Sequence, residues 1–148
     1  MYKRILVAYD GSEAGQKALL DCQELAQWGN AELHLVAVMP PASALIGGEG
    51  YVYDPRIEEE ERREYKNILE EGLKRLTEGG RVAQGEVLVG DAVDEVSRHA
   101  AKIKADLIVV GHKHLSSWAA RWWRGSVSKA LIEHAPCSVL VVIIGPSP

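Results

Sequence analysis

The chain has 148 residues, 47% of them apolar, a formal net charge of -4 and two cysteines. That length suits one domain with a sizeable core, and the apolar fraction excludes a chain disordered by composition. The acidic balance argues against broad, nonspecific nucleic-acid binding, and two cysteines do not make a disulfide framework.

Cys22 and Cys137 read instead as small apolar core residues in a reducing compartment. The N-terminus, MYKRILVAYDG, lacks the long apolar segment of a signal peptide. No apolar run is long enough to span a bilayer. The expectation is a soluble, cytoplasmic protein. No internal repeat or linker interrupts the sequence, so 1–148 is expected to be a single domain.

The first predicted element is RILVAY, Arg4 to Tyr9. Its continuous apolar, β-branched character fits a strand covered on both faces. DGSE breaks it, with Asp10 or Ser12 available as a helix cap. From Glu13 to Trp28, Ala14, Ala18, Cys22, Leu25 and Ala26 recur at helical spacing. Gly29-Asn30 ends that helix, and AELHLVAVM, Ala31 to Met39, reads as a second buried strand. Strand, helix and strand with short links make a βαβ unit, hence parallel strands and a right-handed crossover.

PPASALIGGEGYVYDP, Pro40 to Pro55, is a loop rich in proline and glycine, too apolar for a simple flexible linker. RIEEEERREYKNILEEGLKRLTEGG then gives a long charged helix with an apolar stripe of Ile57, Tyr65, Ile68, Leu69, Leu73 and Leu76. Its acidic start suits the helix dipole. RVAQGEVLVG is a weaker third strand with a glycine inside it. DAVDEVSRHAAKI is a helix capped by Asp91, with Ala92, Val96 and Ala100 on one face. ADLIVVG, SVSKALIEHA and CSVLVVII supply the fourth strand, the last helix and the last strand.

Five buried strands alternating with four helices predict an open, doubly wound α/β sheet. Such sheets bind ligands beyond the carboxyl ends of their strands, where strand order reverses. Two loops lie at such ends, YDGS after the first strand and GHKHLSSWAARWWRGSVSKAL after the fourth. If those strands are neighbours, the loops flank one crevice.

Each loop carries candidate chemistry and an ordinary alternative. The Asp10 carboxylate can accept hydrogen bonds from ribose hydroxyls, or simply hold a strand–helix turn. Gly125-Ser126 can offer helix N–H groups and a hydroxyl to an anion, or be an ordinary cap. Taken alone, each is read better as the cap. Between Gly111 and Ser128 stand three cations, Lys113, Arg121 and Arg124, and no acid. A cationic loop before a helix N-terminus on an acidic protein suits phosphate. Trp118 and Trp122 share a face if this stretch is helical, and with Trp123 they fit packing over a helix, a lid or a partner contact. His112 and His114 are too few for zinc, with no acid or thiol near them in sequence, so no metal site is expected.

At this point the chain resembles the universal stress protein family. The resemblance rests on ILVAYDGSEAGQKAL, VLVGDAVDEVSRHAAKIKADLIVVG and GSVSKALIEHAPCSVLVV. It implies a five-stranded parallel sheet of order 3-2-1-4-5, usually a dimer, in a family whose members divide into those that bind ATP and those that do not. The binders share a pattern of glycine, two residues, glycine, nine residues, then glycine and serine or threonine. Gly111 matches its first glycine, and Gly125 with Ser126 matches its final pair. The resemblance further implies a backbone donor at Val127, a ribose contact at Asp10, and adenine contacts at Ala8, Tyr9 and Val38. Two departures stand out. His114 replaces the middle glycine, and ten residues follow it rather than nine. The imidazole of His114 and the guanidinium of Arg121 or Arg124 are donors that could serve a phosphate in place of the missing backbone approach.

The expected function is regulatory binding of ATP or a related adenine nucleotide, with or without magnesium, by a homodimer joined through its last strand. The alternative is a dimer of the same fold whose groove is filled by the tryptophan-bearing loop and binds no nucleotide. No Ser-His-Asp spacing and no Walker lysine in its glycine context are present, so enzymatic turnover has no support in the sequence. Slow ATP hydrolysis stays open.

Overall fold

The computed structural model describes residues 1–41, 54–113 and 127–145. The elements run β1 (Arg4–Ala8), α1 (Glu13–Gly29), β2 (Glu32–Met39), α2 (Pro55–Glu78), β3 (Ala83–Val89), α3 (Ala92–Ile103), β4 (Leu107–Lys113), α4 (Val127–His134) and β5 (Ser138–Ile144). All strand pairings are parallel, and the order is β3-β2-β1-β4-β5. The expected doubly wound sheet and its strand order are therefore present.

The sheet separates two cores. Alternate side chains of β1 and β2, among them Ile5, Val7, Leu33, Leu35 and Ala37, pack with Ala18, Leu19, Cys22 and Ala26 of α1 and with Leu69 and Leu76 of α2. The opposite set, Leu6, Val36, Ile108 and Val110, packs with Val96 and Ala100 of α3 and Leu131 of α4. The period-2 alternation of strands and the apolar stripes of helices meet here.

Local signals hold the helix ends. Ser12 Oγ accepts from the Gly15 N–H at 3.0 Å, so Ser12 caps α1. Asn30 closes it in the left-handed region at φ 51°, a conformation asparagine tolerates. Asp54 caps α2 ahead of Pro55, and Asp91 caps α3, accepting from the Asp94 N–H at 3.1 Å.

Four expectations are corrected. β3 is not a buried strand. It is an edge strand covered by α2 on one face, and Gln84 and Glu86 on the other face are exposed. β5 is likewise only partly covered, because an edge strand has a neighbour on one side alone. On the helix stripes, Leu25 and Ile57 are exposed. Cys22 is buried, with its thiol pushed up to about 12 by desolvation, but Cys137 is half-buried at the entry to β5.

Among the described residues two histidines are buried, His34 on β2 and His99 on α3. His34 Nε2 lies 2.9 Å from Glu32 Oε1, and His99 Nδ1 lies 3.8 Å from Glu86 Oε2. Burial lowers the His99 pKa below 6.5; the Glu86 carboxylate opposes the shift, while Lys102 and His34 add to it. A lowered folded pKa means the unfolded chain binds the proton more readily. The resulting stability is complete above the unfolded value and is lost as pH falls through the folded one. Denaturant midpoints of the wild type should therefore drop between pH 7.5 and pH 5 by more than those of His99→Gln. Equal drops would show that His99 has no part in the pH dependence.

Candidate functional site

The crevice arises from a mismatch in strand length. β1 pairs with β4 only from Ile5↔Leu107 to Ala8↔Val110. β1 then turns away at Asp10-Gly11, with Gly11 at φ 80°, while β4 runs on beside β5 through Gly111↔Val142 to Lys113↔Ile144. Here strand order reverses, which is where open α/β sheets place their ligands. A cavity of about 650 Å³ occupies the gap, within the ordinary size range of small-molecule sites.

Its floor is apolar, from Ala8, Val36, Val38, Val96 and Val110. Its rim is polar, from Asp10, Ser12, Glu13 and Lys113, and the buried Ser128 lines it as well. The first turns of α1, α3 and α4 reach it through Ala14, Ala92 and Val127. The positive dipole ends of three helices therefore border an apolar slot. That arrangement suits a flat apolar group joined to an anion.

Asp10 does two things at once. Its Oδ1 accepts from the Ser12 N–H at 2.9 Å and from Ser12 Oγ at 2.5 Å, which fixes the turn. Its Oδ2 has no hydrogen-bond partner among the described residues. The turn thus uses one oxygen of the carboxylate and leaves the other open.

Gly111 lies where β4 passes the first turn of α1. A Cβ there would fall on the Ala14 carbonyl group and stand 2.7 Å from the Gly15 nitrogen. The glycine is required by strand–helix packing at the cavity wall, whatever it also does for a ligand.

Tyr9 borders the cavity, but its ring is committed to the core. It is 2% exposed and packs beside Gly15 and Gly72, where a Cβ would come within 3.1 Å and 2.8 Å of it. Its hydroxyl donates to Glu71 Oε1 at 3.3 Å, and Glu71 also accepts from Arg75 Nε at 2.6 Å. Burial, then the Glu71 carboxylate, raises the Tyr9 pKa.

Ala8, Tyr9, Asp10, Val38, Gly111 and Val127 therefore line one cavity. His114, Arg124, Gly125 and Ser126 lie outside the described residues, as do Arg121, Trp118, Trp122 and Trp123. Sequence reasoning missed Tyr65 of α2 and Val96 of α3 as lining residues. Both were read as core positions from helical spacing, and spacing carries no sign of which end of the sheet a helix residue overlooks. Among the described residues, no group of three or more His, Cys, Asp or Glu side chains is placed to hold a metal. No helix among them is long and apolar enough to cross a membrane.

Comparison with known proteins agrees with this architecture. The family model described as "Universal stress protein family" matches residues 1–142. Universal stress protein YxiE of Bacillus subtilis is 32% identical over 148 residues, covering 96% of this chain and 99% of the relative. A universal stress protein family structure from Burkholderia pseudomallei superposes with a TM-score of 0.74 at 31% identity, covering 95% and 96% of the two chains. A universal stress protein solved in complex with cAMP superposes with a TM-score of 0.69 at 25% identity, covering 95% and 97%. By fold, strand order and sequence, the chain belongs to the universal stress protein family.

Proposed function

We propose that this protein binds ATP or a related adenine nucleotide in the crevice between the β1 turn and the end of β4, as a regulatory rather than a catalytic act. The adenine lies on the apolar floor at Ala8 and Val38, with Tyr9 contributing from the strand end. Asp10 Oδ2 accepts from the ribose. The phosphates meet Gly111, the backbone N–H of Val127, and His114, Arg124, Gly125 and Ser126. Magnesium arrives with the phosphates rather than in a protein cage, as is usual for that ion. The working unit is the single domain 1–148, acting in the cytoplasm.

The observation that carries this reading is Asp10. A carboxylate oxygen without a partner among the described residues lines an apolar slot that the first turn of α4 also borders. A relative of the same fold, solved with cAMP, supports the ligand class. Gently purified protein should release an adenine nucleotide on denaturation, in an amount approaching one per chain. Protein that is folded but carries none, and that shows no thermal shift in millimolar ATP or AMP, favours the filled-groove alternative.

The same protein is proposed to be a homodimer through β5. Its outer edge has no strand neighbour among the described residues, and Ile143 on it is 49% exposed. A bare apolar edge invites pairing, which a symmetry mate satisfies without further growth. Ile143→Lys should convert the dimer to a monomer in light scattering, leaving the circular dichroism spectrum unchanged. A monomeric wild type would refute the dimer.

A further inference from the structure

Tyr65 is the one lining residue supplied by α2. Its ring is half-buried against the core that includes Tyr9, Leu69 and Leu35. The two tyrosines of this wall differ in one respect. The Tyr9 hydroxyl is held by Glu71, whereas the Tyr65 hydroxyl has no hydrogen-bond partner among the described residues. It lies within electrostatic range of Asp10, the residue whose Oδ2 is also without one.

Two polar residues of one cavity lining, each with an oxygen left open, are what a pair of neighbouring hydroxyls would close. We infer that Tyr65 is a ligand-binding residue that, with Asp10, grips the ribose of the bound nucleotide. Asp10 Oδ2 accepts a hydrogen bond from one ribose hydroxyl, and the phenol donates to the other. The inference rests on the adenine-nucleotide reading above and adds to it the part of the ligand that α2 recognises.

The protonation state is right for this. Burial first, then the carboxylates of Glu61, Glu64 and Asp10, raises the Tyr65 pKa above 10, so the phenol keeps its proton at neutral pH and remains a donor. The surrounding carboxylates also make this end of the slot a poor place for phosphate. The ribose hydroxyls belong here and the 5′-phosphate at the opposite end, near Lys113 and the start of α4.

The test is calorimetric titration of the wild type and Tyr65→Phe with AMP and with 2′,3′-dideoxy-AMP. Phenylalanine keeps the ring and its packing and removes only the oxygen. Tyr65→Phe should bind AMP about 3–10-fold more weakly than the wild type, the range for one neutral hydrogen bond. It should bind the dideoxy analogue as the wild type does. Equal AMP affinity in the two proteins overturns the assignment. So does an equal loss for both ligands, which would mark a packing role. A wild type that binds neither ligand overturns the adenine-nucleotide reading and this inference with it. A wild type that binds AMP while Tyr65→Phe shows no selective loss overturns this inference alone.

Discussion

Replacing Gly111 with alanine is expected to destabilise the domain by about 1–3 kcal/mol, the range for forcing extra volume into a packed interior. The added methyl would collide with the Ala14 carbonyl and crowd the Gly15 nitrogen, both main-chain atoms in the first turn of α1. No side-chain rotamer can relieve such a clash. Either β4 shifts or α1 lifts, and α1 carries Ser12 and the turn that Asp10 holds. Nucleotide binding should fall together with stability, because the same movement deforms the cavity wall. Gly145→Ala is the control, since a Cβ there meets nothing within 4 Å. Urea midpoints of the two variants check the expectation. A Gly111→Ala variant as stable as the wild type would show that strand and helix are looser than the geometry requires.

Asp10→Asn should weaken nucleotide binding about 10–150-fold, the range for one hydrogen bond to a charged group. It should leave the fold nearly as stable as before. The amide oxygen of asparagine can still accept from the Ser12 N–H and Oγ, as Asp10 Oδ1 does now. What the variant loses is the negative charge and the second acceptor offered to the ligand. Asp10→Ala removes the turn as well, so it should lose both binding and stability. Parallel calorimetry and thermal melts on the two variants separate ligand recognition from turn chemistry. If Asp10→Asn bound nucleotide like the wild type, Asp10 would be a turn residue only.

The elements legible in the sequence were those whose local chemistry and tertiary role agree. ILVA of β1 and LIVV of β4 are central strands, and their unbroken apolar runs say so. Ser12, Asn30 and Asp91 end helices by side-chain and backbone chemistry that acts within a few residues. β3 was overread because RVAQGEVLVG has enough valine to suggest burial, whereas it is an edge strand whose second face is covered only in part, and Val82 is 86% exposed. The buried state of His99 could not be read, because its acidic partner Glu86 comes near only once β3 and α3 are placed, whereas Glu32 and His34 are neighbours on one face of β2.

At the site, Asp10 was legible as a turn residue at the end of the first strand, and Gly111 as the first glycine of the pattern that the family resemblance supplies. Their actual constraints were not. The contact of Gly111 with Ala14 depends on how α1 lies across β4, and which Asp10 oxygen bonds Ser12 depends on the side-chain rotamer. Tyr65 was legible as an apolar-stripe residue, and its ring does pack against the core. It also lines the cavity, because α2 returns across the sheet between two parallel strands, a long-range fact with no local signature.

The central claim is that the crevice holds an adenine nucleotide, and titration of the purified protein with ATP and magnesium tests it most directly. The account predicts saturable binding in the micromolar range, with one nucleotide per chain, greatly weakened by Asp10→Asn in protein of unchanged melting temperature. No heat of binding and no thermal shift at millimolar ATP, in protein shown to be folded and free of bound nucleotide, would contradict it.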